Sequence, residues 1–244
     1  MRPLLRWLAL VCLAFVALQV FFVARIAMMV VVDPQSTAFE RSEAWRILHT
    51  RGALPWRQQW VPYAQISDNL KRAVIASEDD GYATHDGIDW DALEKAWQKN
   101  SRAEEQAARR AAASNKGQAP TPKVVGGSTI TQQLAKNLFL SGERTLLRKG
   151  QEMVLTLLLE ALLDKRRILE IYLNNVEWGE GVFGAQAAAE HYYRKSASRL
   201  SASEAARLAV MLPRPKYFEK LPNSAYVSGR AGTIMARMAD ARLP

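Results

Sequence analysis

The chain has 244 residues, a net charge of +9 and a pI near 9.8, which suits one globular domain with an appendage and a negatively charged partner. No nucleic-acid-binding motif is present and the aromatic residues are not interleaved with basic ones, so the basic balance points to an anionic membrane surface or a phosphate-bearing substrate rather than nucleic acid. The lack of a P-loop pattern and the wide separation of His49, His85 and His191 argue against a nucleotide-cradling loop and a zinc-protease signature.

Residues 7–24, after Arg2 and Arg6, contain no charge and one Gln, just long enough to span a bilayer. Arg25 follows and can snorkel to the interface, and residues 26–32 are apolar again. No Lys or Arg lies between Arg25 and Arg41, so the positive-inside rule puts residues 1–6 in the cytoplasm, residues 7–32 in an anchor and interfacial segment, and residues 33–244 outside. A cleaved signal peptide is the alternative; no small-x-small site directly follows the apolar run, which favours a retained anchor. The single cysteine, Cys12, lies within the span, so disulfides cannot hold the exported part together. Residues 33–62 are a mixed connection whose Trp45, Trp56 and Trp60 fit either the membrane interface or a small core.

Ser67 opens a helix with Leu70, Ala73, Val74 and Ser77 on one side, running into Glu78-Asp79-Asp80-Gly81. Three acids at a helix C-terminus oppose the dipole and repel one another, so at least one proton is held more tightly. A local rule broken in this way marks a candidate functional site. Asp89 can cap a further helix with Leu93, Ala96 and Trp97 inward. Residues 100–123 are rich in Ala, Arg, Glu and Gln and end in a Pro/Gly-containing tract, which reads as a mobile flap; an exposed Ala-rich helix over residues 102–113 is compatible with that.

The next stretch, Val125 to Leu138, begins with Gly126-Gly127 and continues with helical spacing. Ile130, Leu134 and Leu138 form an apolar stripe, and Ser128, Gln132 and Lys136 form a polar stripe on the far side. Ser128 or Thr129 can cap this helix, leaving N–H groups and the positive dipole end for an anion. The stretch therefore reads as a phosphate or pyrophosphate cradle, or as a capped surface helix with a solvated lysine. Arg144, Arg148 and Glu152 are four apart on the following helix, and residues 153–163 are almost wholly apolar, as for a central buried helix. Gly179, Gly181 and Gly184 read as a turn, Ser201 to Glu204 as a capping box, and residues 226–241 as a last amphipathic helix with Ile234, Met235 and Met238 inward. Strand signals are weak throughout, so the fold class expected is mainly α.

Five of these segments, in order, resemble the motifs of the peptidoglycan glycosyltransferases, glycosyltransferase family 51, over roughly residues 61–218. They are Glu78 to Asp89, with Tyr82 where a Phe is usual; Gly126 to Gln133; Arg148 to Glu152; Lys165 to Asn175; and the helix ending at Pro213-Arg214-Pro215. The resemblance implies a lysozyme-like helical domain with a small membrane-proximal lobe behind one transmembrane helix. It also implies polymerisation of lipid II, with transfer of the undecaprenyl-pyrophosphate-linked strand to the GlcNAc 4-hydroxyl. No Ser-x-x-Lys or Lys-Thr-Gly occurs, so the likeness is to the monofunctional form.

Carried onto this sequence, the resemblance makes Glu78 the catalytic base and Glu152 a second catalytic residue. Ser128, Thr129, Gln132, Gln133, Lys136, Arg144, Arg148 and Lys149 become pyrophosphate and glycan contacts. Asn174 is expected to bond backbone, and His85 to be structural. A Mg²⁺ or Mn²⁺ ion near Glu78 and Asp79 is left open, although no metal-ligand cluster stands out. The implied partners are lipid II, the nascent strand, the membrane and other cell-wall synthesis proteins, with no nucleic acid. The implied location is the inner membrane, with the catalytic domain in the periplasm. A membrane-anchored lysozyme-like hydrolase and a non-catalytic cell-wall scaffold stay open as alternatives.

Overall fold

Helix α1, Arg2–Met28, is an apolar rod about 40 Å long, exposed along nearly its whole length. The computed structural model describes residues 2–113, 126–140 and 145–244, and among them the chain is mainly helical, as expected. Only the C-terminal end of α1 is buried, through Phe22, Ile26 and, just beyond it, Met29. Arg25 lies over the Phe139 ring at 5.6 Å, and Phe22 meets the same ring edge-on at 5.4 Å. Arg167 donates to the Met29 carbonyl (2.8 Å) and to Asp33 (2.7 Å), clamping the exit of α1 to the helical body.

Helix α2, Ala38–Arg51, begins with a Thr37–Glu40 capping box and ends at Gly52 in the left-handed region. Of the three tryptophans in this connection, Trp45 is exposed, Trp56 stacks on Phe183 with ring centroids 4.5 Å apart, and Trp60 packs against the core. The ambiguity between interface and small core thus resolves residue by residue. Three short strands, β1 (Arg57–Gln58), β2 (Glu177–Gly179) and β3 (Val182–Phe183), form a sheet in the order β1-β3-β2, with β1 parallel and β2 antiparallel to β3. Gly181 allows the sheet to close: its φ is +76°, and a Cβ there would lie 2.0 Å from the Pro55 carbonyl oxygen. These glycines read as a turn in sequence because strands of two or three residues carry no period.

The core forms around α3 (Asp68–Glu78), α5 (Ile130–Phe139), α6 (Leu146–Leu162), α7 (Lys165–Asn175), α9 (Ala202–Met211) and α11 (Ala225–Arg237). Helix α3 packs on α9 and α11, while α5 packs on α2, α6 and α7. Asn174 is fully buried and pairs with Val61 through both amide groups, at 2.9 and 3.0 Å, as expected of it. The Tyr82 hydroxyl finds its partner in the Lys165 carbonyl, at 2.6 Å. The Ser201–Glu204 capping box forms at the start of α9.

Helix α4 runs Trp90–Ala113, so residues 100–113 of the expected flap are helical, as the compatible Ala-rich helix over residues 102–113 allowed; Ala, Arg, Glu and Gln are strong helix formers that need no apolar anchor. Residues 114–123 of that segment lie outside the described residues. Three other expectations need correction. Among the described side chains of α4 only Ala96 is buried, whereas Leu93 and Trp97 are 41% and 72% exposed. Helix α6 is not buried all round: Leu155 and Leu159 face the core, while Val154 and Leu157 are exposed on the helix that α1 packs against. Met235 lies outside while Ile234 and Met238 lie inside. In each case periodicity found an apolar stripe, but which part of it meets protein depends on the neighbouring helices.

Candidate functional site

Glu78 closes α3, half-buried, and its carboxylate is held from two sides. Oε2 accepts from Gln133 Nε2 at 3.0 Å, and Oε1 lies 3.4 Å from the Ser77 hydroxyl. Burial pushes its pKa above the ordinary 4.5 and the Asp79 charge adds to that, while the bonds from Gln133 and Ser77 work the other way. The Gln133 amide is fixed in turn, because its Oε1 accepts from the Tyr172 hydroxyl at 3.0 Å. Burial pushes the Tyr172 phenol well above its usual range, so it acts as a donor and turns the Gln133 NH₂ toward Glu78.

Asp79 faces elsewhere. It is buried, with Oδ1 2.7 Å from His85 Nε2 and Oδ2 accepting from the Ile130 N–H, the first of α5, at 2.9 Å. The Gly87 N–H donates to His85 Nδ1 at 3.1 Å, so the His85 proton sits on Nε2 and is given to Asp79. His85 is a structural residue. The α5 dipole end, expected to await a phosphate, thus carries the protein's own Asp79. Thr129 caps α5 in a box with Gln132 and donates to the Gly87 carbonyl at 2.6 Å. Asp80 pairs with Arg237 at the surface, at 3.0 Å. The three acids that crowd together in sequence are therefore partnered apart.

One cavity borders Gln133 and another borders Glu78. The first, of about 400 Å³, is lined by Ser128, Gln133, Lys136, Arg148, Lys149 and Glu152. The other, of about 260 Å³, is lined by Glu78 itself with Gly127, Lys95 and Lys99, and shares Ser128 with the first. Gln133 reaches from the cationic cavity to the Glu78 carboxylate, so carboxylate and cations lie one side chain apart. Glu152 is 3% exposed; its Oε2 accepts from Arg148 at 3.0 Å and its Oε1 from Lys149. Arg148 Nε is buried without an acceptor among the described residues, an orphaned donor beside this cavity.

Arg144 lies outside the described residues. Sequence reading missed Phe39, Ser42 and Glu43 of α2 on the cationic cavity, and Arg237 on the other. No motif or period links those helices to the site; contact across the fold is the only signal. Burial works to raise Glu43, but bonds from Arg46 and Lys216 outweigh it and hold it below the ordinary range. The residues at Glu78 and Asp79 do not form a fitting Mg²⁺ or Mn²⁺ set: both Asp79 oxygens already face N–H groups, and no three His, Cys, Asp or Glu side chains converge among the described residues.

A half-buried carboxylate of raised pKa beside a cavity lined by three cations suits transfer of a group from a phosphorylated donor to a hydroxyl. A family model described as Transglycosylase matches residues 47–239. Over 247 residues the chain is 53% identical to the biosynthetic peptidoglycan transglycosylase of Burkholderia thailandensis, covering 100% of this chain and 90% of that protein. It is 51% identical over 245 residues to the protein of that name from Herminiimonas arsenicoxydans, covering 100% and 99%. With the one from Paraburkholderia xenovorans it shares 49% identity over 243 residues, covering 98% and 94%.

Proposed function

Because this chain belongs to the transglycosylase family, we propose that it is a peptidoglycan glycosyltransferase of cell-wall synthesis that polymerises lipid II, with the chemistry at Glu78. Its helical domain is lysozyme-like. The observation that carries the assignment is the Gln133 bridge, which holds a carboxylate of raised pKa against the cavity of Lys136, Arg148 and Lys149.

In this reading Gln133 holds Oε2 of Glu78, and Oε1, with Ser77 on one side, takes the proton from the GlcNAc 4-hydroxyl through its remaining lone pair. That oxygen attacks the anomeric carbon of the donor strand. The bond from that carbon to the pyrophosphate oxygen breaks, and the leaving group keeps the electron pair. Lys136 and Arg148 stabilise the charge that develops, with the orphaned Arg148 Nε as a further donor. Glu152 fixes Arg148 and Lys149 by its two bonds, which assigns it to positioning rather than proton transfer. Ser128 borders both cavities and suits the junction of glycan and pyrophosphate. Thr129 and Gln132 act through the cap that holds α5.

The test is incubation of the full chain with lipid II. We expect undecaprenyl pyrophosphate release in step with strand growth. Cutting of preformed strands without lipid II consumption would establish the hydrolase instead, and neither activity would leave the scaffold.

Helix α1 is long and apolar enough to cross a membrane. We place it in the inner membrane, amino terminus in the cytoplasm and residues 33–244 in the periplasm, on the strength of Arg2 and Arg6 before the span. Exposed Leu146, Leu147 and Val154 on α6, the helix that α1 packs against, suit a body seated at that surface. A reporter active only in the cytoplasm, fused after Pro244, should be silent; a strong signal would reverse the orientation.

A further inference from the structure

We propose that the open face of α4 around Trp90 and Trp97 is a saccharide-stacking subsite, which holds the glycan strand where it runs on from Glu78. The inference rests on the function proposed above and adds a binding surface to it. Trp90, Leu93 and Trp97 are three and four residues apart, on one face of α4, and are 62%, 41% and 72% exposed. An isolated exposed Trp needs no explanation, but two large indoles sharing one cavity of about 540 Å³ with Leu93 do.

The cavity adjoins the site. Gly127 and Ala96 line both it and the cavity that holds Glu78. Gly127 packs so close to α4 that a Cβ there would lie 3.1 Å from the Ala96 Cβ and 3.2 Å from the Leu93 Cα. Only this thin wall, built where glycine lets α4 meet the head of α5, separates the tryptophans from the catalytic cleft.

The chemistry selects a sugar. Pyranose rings present flat faces of C–H groups that stack on indole, with hydroxyl and amide groups around the rim. Indole supplies such a platform at small cost in conformational entropy, and Glu94 and Asn100 border the same cavity as polar partners for the rim. Seven residues of helix separate Trp90 and Trp97 by about 10 Å, close to the repeat of a β-1,4-linked disaccharide. A lipid surface is disfavoured because α1 packs on α6, whereas this face opens beside Glu78.

The test uses the full chain, its Trp90→Ala and Trp97→Ala variants and the double variant, with Trp97→Tyr as the conservative control. The probe is a soluble, lipid-free oligosaccharide of alternating GlcNAc and MurNAc, and binding is followed by tryptophan fluorescence and calorimetry. Each alanine variant should bind about 5- to 30-fold more weakly, and Trp97→Tyr should recover most of the loss. With lipid II, the double variant should make shorter strands than the parent. Unchanged oligosaccharide affinity and strand length in the double variant would overturn the subsite. Loss of binding to sugar-free anionic vesicles, with strand length intact, would also overturn it and assign the face to the membrane. Oligosaccharide binding is read without turnover, so failure of this subsite and failure of the Glu78 assignment give different results.

Discussion

Glu78→Gln is expected to slow polymerisation by about 10²–10⁴-fold while the protein stays folded. The substitution keeps size and hydrogen bonding but removes the carboxylate proposed to take the acceptor's proton. Stability provides an internal control. A carboxyl whose folded pKa is raised adds stability below its unfolded value near 4.5, and loses it as pH rises through the folded value. At pH 8 the native Glu78 is therefore a slight liability, and Glu78→Gln should melt no lower than the parent. The same raised pKa shapes the pH–rate profile. The base works only when deprotonated, so the parent's rate should climb with pH through a value above the ordinary carboxylate range, and the residual rate of the variant should lack that limb. A variant within a few-fold of the parent rate would remove Glu78 from the chemistry.

Asp79→Asn should damage both fold and catalysis. Both Asp79 oxygens accept, one from His85 and one from the Ile130 N–H, and the side chain is buried. Asparagine has one acceptor and must turn its NH₂ toward one of those N–H groups, while the charge at the α5 dipole end is lost. The expected loss is about 2–4 kcal/mol, read by denaturant unfolding at neutral pH. Catalysis per folded molecule should fall about tenfold or more, because Asp79 ties the end of α3 to the head of α5 and so keeps Glu78 in line with Gln133. Wild-type stability would show that this carboxylate is not the clasp between the two segments. A stability loss with full activity in the folded fraction would separate the clasp from the alignment of Glu78.

Local physics made part of this protein legible in one dimension. An uncharged run just long enough to span a bilayer, a Thr or Ser three residues before Gln or Glu, and an apolar residue every third or fourth position each act within a few turns. The long apolar first helix, a cap at Ser128 or Thr129, the Ser201 cap and the buried stripe Ile130–Leu134–Leu138 could therefore be read directly. The ordered motifs also brought Glu78, Gln133, Lys136 and Arg148 onto one short set of candidates.

Tertiary structure decided what each of those residues does. Glu78, Asp79 and Asp80 are neighbours in the chain, yet their partners are Gln133, Ile130 with His85, and Arg237, all but His85 more than fifty residues away. The helix end that looked free for phosphate is closed by Asp79, leaving the positive charge of the site to side chains. Apolar stripes on α4 and α6 were visible, but whether Trp97 or Leu157 meets protein depends on which helix lies opposite. Periodicity records the face a helix can bury; only the packed neighbours determine whether that face is covered, left open, or turned toward a substrate.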